Sequence, residues 1–562
     1  MSNFFFNDRT NLVNDAIEGE VIASPYKNLT KLDTDPSIRI VVRNDWDKKK
    51  VAVISGGGAG HEPAHLGFVG KNMLTAAICG DIFASPSVDA VLTAITAVTG
   101  EAGCLLIIKN YTGDRLNFGL AAEKAKQLGY KVEIVIVKDD ISLPENKQPR
   151  GIAGTVFIHK MAGYAAEMGK TLQEVKQFVD RVNHQVYSIG IAMSGCHLPM
   201  AKSEDRVPEG SIELGLGIHG EPGVSTLSTQ NSREIVNIMV EKLLSHIPQG
   251  ASLAVMVNNL GGVSPTEMSI LTKEVYHSSL RNQLSWIVGP APIVTALDMK
   301  GFSLSVLVLD DEIEKALISP TETSSWVHPV QPTPLIVLPV HSVETKVQYT
   351  PSQDSCVFKV VNIVTQTLSD LEDELNRLDA KVGDGDTGAT FAAGARGVAE
   401  LLNKNQLPLA DISTLCLVVG ERLAVVMGGS SGVLMSIFFT SMGQKIAEGQ
   451  GVVDGLLYGL KQMKHYGGAD VGDRTLIDSL QPALETLKIS GDFAQATKAA
   501  EIGAENTAKS AKANAGRSSY LSGDSLMGNI DPGAVAVAKV FSALLAQCSE
   551  LKNKSVLLKY LR

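Results

Sequence analysis

No apolar run in the 562-residue chain reaches about 18 residues, the length a membrane-spanning helix needs, so no span and no membrane partner is expected. C-x-x-C pairs are missing too. The six cysteines, Cys79, Cys104, Cys196, Cys356, Cys416 and Cys548, are scattered, most of them in apolar surroundings. That pattern points away from zinc ligands and disulfides and towards buried free thiols in a reducing cytoplasm. The chain has no basic stripe. Its net charge is −10 with both signs interspersed, which argues against a nucleic-acid binder. MSNFFFNDRT has neither a basic segment nor a long apolar core, so no signal peptide is expected. G-x-x-x-x-G-K-[ST] and the kinase glycine loop are both lacking, so any nucleotide is held in a less familiar way.

What is present divides in two. The length is too great for one core and predicts three or four folding units. Up to about residue 330, short apolar runs alternate with helical patterns. VAVISGGG (51–58), CLLIIKNYTG (104–113), VEIVIVKDD (132–140), SLAVMVNNLGG (252–262), LSWIVGP (284–290) and SLSVLVLDD (303–311) read as buried strands. Segments 87–99 and 155–168 read as helices, and the alternation predicts α/β layers. A second α/β unit begins near residue 185, at VYSIGIAMSG. Residues 318–353 carry six prolines and read as a linker with one short edge strand at 335–340. Beyond it Val357, Val360, Val364, Leu368, Leu371, Leu375 and Leu378 recur at spacings of three and four, one face of a long helix. An all-α part follows to the end. The boundaries read 1–184, 185–330, 331–354 and 355–562.

Glycine-rich loops at element ends carry the candidate chemistry. KVGDGDTG (381–388) sets Asp384 and Asp386 one glycine apart, after Asp379 at the end of the long helix; Thr387 reads as the N-cap of the next. Three close carboxylates repel unless something positive sits among them. A calcium EF-hand fails, because position 12 would be Ala395 instead of glutamate; magnesium, which keeps waters and accepts substrate phosphates, fits better. By itself the loop reads equally well as a solvated acidic turn. MGGSSG places Ser430, Ser431 and Gly432 at the start of an apolar helix, where backbone N–H groups attract anions; tight helix packing is the plainer alternative. NAGRSSYLSG adds Arg517 as a phosphate clamp, and Asp531, Pro532 and Gly533 form a turn opening the last helix. In the first half, SGGGAGHEPAH follows a strand, but His61 takes the last glycine place of a dinucleotide fingerprint, so a tight polar pocket around Gly58 and His61 is the better reading. KNYTGDRLNF puts Lys109 and Asp114 on a loop, and GLGIHGEPG holds His219 among glycines, open to a ligand.

GGGAGHEPAH, IIKNYTGDRLNFG, GIHGEPG, LDAKVGDGDTG, MGGSSG, YGGADVGDRT and GRSSYL, in that order, resemble the ATP-dependent dihydroxyacetone kinase family of the single-chain type, over essentially the whole chain. The resemblance implies a multidomain fold, with an α/β triose-binding part of two subdomains and an all-α C-terminal barrel of eight helices. It implies that His219 holds the carbonyl carbon of the substrate as a hemiaminal, and that Gly58, His61, Lys109 and Asp114 bind the triose, with His61 or Asp114 moving a proton. It further implies ATP with two Mg2+ ions, Asp379, Asp384 and Asp386 as metal ligands, and Asp386, Thr387, Gly388, Ser430, Ser431, Gly432, Arg517, Asp531, Pro532 and Gly533 around the nucleotide. Dihydroxyacetone, with glyceraldehyde as a second triose, and a cytoplasmic homodimer complete the expectation. Cyclising FAD-AMP lyase activity and phosphoenolpyruvate-linked phosphotransfer are the alternatives; a non-catalytic triose sensor is a third, which the intact carboxylates disfavour.

Overall fold

The computed structural model describes residues 4–143, 148–199, 207–208, 210–221, 223–228, 231–340, 347–514 and 526–550. The chain divides into two units, Met1–Val337 and Leu338–Arg562. In the first, the described strands are β1 (Leu29–Lys31), β2 (Arg39–Arg43), β3 (Ala52–Ala59), β4 (Ala76–Ile82), β5 (Cys104–Lys109), β6 (Val132–Val137), β7 (Val186–Ala192), β8 (Ser211–Leu214), β9 (Ser225–Ser228), β10 (Leu253–Asn259), β11 (Leu284–Ala291) and β12 (Gly301–Val308). They form two sheets, ordered β1-β2-β4-β3-β5-β6 and β11-β10-β12-β7-β8-β9. In the first sheet β4, β3, β5 and β6 run parallel. In the second only β10 and β11 do. The helices are α1 (Leu12–Ala23), α2 (Val88–Val98), α3 (Thr112–Gln127), α4 (Thr155–Glu167), α5 (Leu172–Asn183), α6 (Ser232–Leu244), α7 (Pro265–His277) and α8 (Asp311–Ile318).

Strand periodicity explains the layering. In β5, Leu105 and Ile107 face one apolar cluster while Cys104, Leu106 and Ile108 face another with α2 and α3. In β10, Ala254 and Met256 join that first cluster, and Leu253, Val255 and Val257 turn to α6 and α7. Helix α4 therefore lies in the shared middle layer and is buried on nearly every face, which is why TVFIHKMAGYAAE shows little amphipathic pattern. Sequence reading overlooked β1, β2, β4, β8 and β9. The apolar run of β4 is interrupted by Gly80 and Asp81, and β9 is the polar run STLS.

Among the described residues the second unit is helical: α9 (Ser355–Asp370), α10 (Glu372–Asp379), α11 (Thr387–Asn403), α12 (Ile412–Val426), α13 (Gly429–Ala447), α14 (Val452–Gly467), α15 (Ile477–Ser490), α16 (Phe493–Thr507) and α17 (Pro532–Glu550). Val364, Phe438, Leu480 and Phe541 are among the side chains lining an apolar cavity of about 380 Å³ inside it. Two expectations need correction. The single long helix over 357–378 breaks at Leu371 into α9 and α10. Glu372, Asp373 and Glu374 then fill the first turn of α10, where the helix dipole favours negative charge. No strand forms over 335–340, where Leu335, Ile336, Val337, Leu338 and Val340 are exposed. Pro334 and Pro339 remove two of the donors a strand would need there. The thiols differ in part as well: Cys104 and Cys416 are buried, whereas Cys79, Cys196 and Cys356 are half-buried, all five of them free; the Cys548 side chain lies outside the described residues.

Candidate active site

Among the described residues each unit brings together a cluster of the candidate side chains. In the α/β unit the cluster centres on His219, in the turn after β8. Its ring is met edge-on by Tyr111 at 4.6 Å, His61 at 4.8 Å and Phe83 at 5.3 Å between centroids. The turn is tight: Gly220 N–H donates to Gly217 O and Gly217 N–H to Glu221 O, both at 3.0 Å. His61 follows β3 and is fully buried. Its Nδ1 lies 2.8 Å from Thr295 O, an acceptor only, so Nδ1 carries the proton and Nε2 is left bare and unpartnered. Burial, helped by the charge of Lys109, holds this imidazole neutral, well below the usual histidine range.

Lys109 ends β5. Its ammonium is buried without a hydrogen-bond partner, so burial lowers its pKa, against the opposing pull of Asp114 and Glu62. Asp114 is not on a loop, as the sequence implied, but in the first turn of α3. Burial raises its pKa, against Lys109 and the hydrogen bond donated by Ser85 Oγ. Gly58 fits because the chain at Phe83 and Ala84 runs across it: a Cβ there would lie 2.7 Å from Ala84 N and 2.9 Å from Phe83 Cα. The structure thus gathers His61, Lys109, Asp114 and His219 from three separate segments. Phe83, Tyr111 and Glu221 were missed. Tyr111 and Glu221 stand inside KNYTGD and GIHGEPG, where the motifs pointed. Phe83 carried no signal, because its place depends on a turn with φ +56°.

In the helical unit, one oxygen each of Asp379, Asp384 and Asp386 lies within 4.8 Å of the others. Asp379 is buried and the other two are exposed. Thr387 is not the N-cap; Asp386 holds that position and makes no side-chain cap bond. The capping oxygen comes from Asp379, whose Oδ2 accepts from Asp386 N–H at 2.9 Å and Thr387 N–H at 3.1 Å. Gly385, at φ +80°, turns the chain between Asp384 and Asp386. Hard oxygen donors so close, with one already fixed by backbone N–H groups, fit a divalent cation such as magnesium. Gly388 allows α11 to touch α10, since a Cβ there would lie 2.0 Å from Glu372 O.

The other helix starts behave differently. Ser430 is exposed and Ser431 half-exposed in the first turn of α13, while Gly432 is buried and packs on Met427 O, where a Cβ would come to 2.4 Å. Met427 in turn packs on Gly394 of α11, so this loop sits against the helix that Asp386 begins. Asp531 caps α17, accepting from Ala534 N–H at 2.8 Å, and Pro532 and Gly533 open that helix. Burial, with added repulsion from Asp478 and Asp379 against the pull of Arg474, pushes Asp531 up to about 7. Arg474, itself buried, ties the neighbouring loops together by donating to Thr507 O, to Ser510 O at 3.3 Å and to Asn529 O at 2.8 Å. Arg517 lies outside the described residues.

Comparison with known proteins covers both units. Residues 19–325 match the Dak1 domain and residues 381–546 the DAK2 domain. Over 548 residues the chain is 61% identical to the dihydroxyacetone kinase of Citrobacter freundii, covering 97% of this chain and 99% of that one. It is 37% identical over 568 residues to the triokinase/FMN cyclase of Rattus norvegicus, covering 94% and 96%. The crystal structure of the C. freundii enzyme in complex with AMP-PNP and Mg2+ aligns with a TM-score of 0.72 at 58% identity, over 97% of this chain and all of that one. Identity of about three residues in five, over nearly the whole chain, to an enzyme named a kinase and crystallised with an ATP analogue and Mg2+ makes this chain a kinase. Similarity across both units then fixes the lineage: the chain belongs to the dihydroxyacetone kinase family. Among the described residues no helix is long and apolar enough to cross a membrane.

Proposed function

We propose that this kinase transfers the γ-phosphoryl group of ATP to dihydroxyacetone, which it holds as a hemiaminal on His219. One observation carries the reading: a neutral His61 with its Nε2 unpartnered and a buried Lys109 and Asp114 surround an imidazole caged by aromatic edges. A neutral imidazole is a competent nucleophile towards a ketone. His61, with Nε2 bare, and Asp114 are the candidate acceptors for the proton of the attacking hydroxyl. Gly58 and Lys109 line the substrate.

The nucleotide reading rests on the second unit. Asp379, Asp384 and Asp386 hold magnesium, two ions in all, with Thr387, Gly388, Ser430, Ser431, Gly432, Arg517, Asp531, Pro532 and Gly533 around ATP. Bound there, the ions neutralise phosphate charge, the main demand of phosphoryl transfer. Residues 1–184 and 185–330 are the two triose-binding subdomains, 331–354 the linker and 355–562 the nucleotide-binding part; a cytoplasmic homodimer belongs to the same proposal. A coupled assay with ATP and Mg2+ tests it: dihydroxyacetone is turned over, glyceraldehyde serves as a second triose, and glycerol, having no carbonyl, is not. Equal use of glycerol refutes the covalent filter, and turnover that requires a phosphoenolpyruvate-charged carrier refutes the donor. A second reading, release of cyclic FMN from FAD, draws on the name of the rat relative; incubation with FAD and Mn2+ decides it.

A further inference from the structure

We propose that Glu221 is a positioning residue that locks His219 as its Nδ1–H tautomer, leaving Nε2 as the atom that bonds the ketone; this rests on the covalent reading above. Glu221 grips His219 at two points. Its Oε1 lies 3.0 Å from Nδ1, and its Oε2 accepts the His219 backbone N–H at 3.0 Å. An ionised carboxylate can only accept, so the ring nitrogen facing it must carry the proton. Burial works to raise the Glu221 carboxyl, but its hydrogen bonds and charge contact with His219 outweigh that and hold it at about 2. It is therefore ionised throughout the working range. In a neutral ring with the proton on Nδ1, the lone pair is on Nε2, and no hydrogen bond from the described residues reaches that atom.

Arg150 is near enough for its charge to interact with that of Glu221. Arg150 pairs with Asp140 at 2.6 Å, both nearly buried, and donates to Gly215 O at 2.7 Å and Ser142 Oγ at 3.1 Å. Its remaining nitrogen, Nη1, approaches the open side of Gly217, as does Glu221 Oε2: a Cβ at Gly217 would lie 2.6 Å from the first and 1.9 Å from the second. Asp140 with Arg150 and Glu221 with His219 thus form two contacting pairs that meet at Gly217. A side chain at Gly217 would push against Arg150 Nη1 and Glu221 Oε2 together.

The chemistry balances. As Nε2 bonds to the carbonyl carbon, the C=O π pair moves to oxygen, which takes a proton from solvent water. The ring becomes an Nε2-substituted imidazolium, and its Nδ1–H remains on Glu221, which faces the new positive charge. The aromatic edges of Phe83, Tyr111 and His61 limit rotation of the ring, so the correct tautomer cannot be replaced by a ring flip without repacking. An outer partner that fixes a histidine tautomer is worth about 10–100-fold in function.

The test uses the full chain labelled with 15N-histidine. In the wild type, the His219 shifts should show a protonated Nδ1 and a bare Nε2. Glu221→Gln, whose amide presents either oxygen or nitrogen, should move them towards a tautomer mixture and lower kcat/KM for dihydroxyacetone about 10–100-fold. Gly217→Ala, which displaces the carboxylate and leaves both partners intact, should shift signals and rate the same way. A purely structural role for Glu221 would lower stability and leave the shifts in place, and that result overturns the proposal. So does a wild-type proton on Nε2, or soaked-crystal density joining the ketone to Nδ1. The covalent reading fails separately, if soaked crystals show no bond to either nitrogen; the shifts of the ligand-free protein still decide the tautomer.

Discussion

Replacing Gly58 by alanine adds one methyl group where the structure leaves no room. The new Cβ would lie 2.7 Å from Ala84 N, about 0.7 Å inside the 3.4 Å at which ordinary contact begins. The atoms it meets are backbone, so no rotamer change relieves the clash; the turn at 83–84 must move. That turn carries Phe83, which packs 5.0 Å from His61 and 5.3 Å from His219, and it leads to Ser85, which donates to Asp114. Overpacking of this kind costs about 1–3 kcal/mol, which in a unit of this size lowers Tm by roughly 2–10 °C. A displacement of this order at the reacting groups costs up to about 100-fold in rate. The expected result is a 10–100-fold fall in kcat/KM for dihydroxyacetone at 25 °C, where the variant is folded by circular dichroism, with ATP affinity unchanged. Full activity at an unchanged Tm would refute the reasoning, because it would mean the turn has room that the structure denies.

Three further outcomes are expected. Asp384→Ala and Asp386→Ala should each abolish ATP turnover and spare dihydroxyacetone binding by calorimetry, since the clusters lie in different units; loss of both in a folded variant counts against the division. Asp139 is buried and its pKa is raised from the usual 3.8 to about 6, so the folded state keeps a proton the unfolded chain has lost. Its contribution is full below pH 3.8 and is lost as pH rises through 6, a span worth about 3 kcal/mol at most. Asp139→Asn should therefore gain stability relative to wild type as pH rises from about 4 to about 6 in urea melts and keep that gain at higher pH, and a difference that ignores pH would contradict this. Arg474→Met should destabilise the helical unit by about 3–5 kcal/mol, because three carbonyls lose a buried charged donor; a melting curve within 1 °C of wild type would show those bonds to be dispensable.

Much of this protein was legible as apolar patterning. Continuous apolar runs in CLLIIK and SLAVMVNN announced buried strands, because a strand covered on both faces is apolar on both, and Leu105 and Leu106 do enter different cores. Spacings of three and four announced the helices of the second unit. Glycine, aspartate and histidine loops at the ends of those elements marked both clusters, since backbone freedom and side-chain chemistry are local properties. Residue order could not supply contacts between distant segments. Thr295 sets the tautomer of His61, Phe83 closes the cage from a strained turn, and Asp379 caps a helix it does not belong to. Each depends on which segments pack together, and packing is decided by the burial of whole faces. The break at Leu371 shows the boundary most clearly: the apolar repeat runs through it unbroken, and only the tertiary arrangement divides α9 from α10 and brings Asp379 to the start of α11.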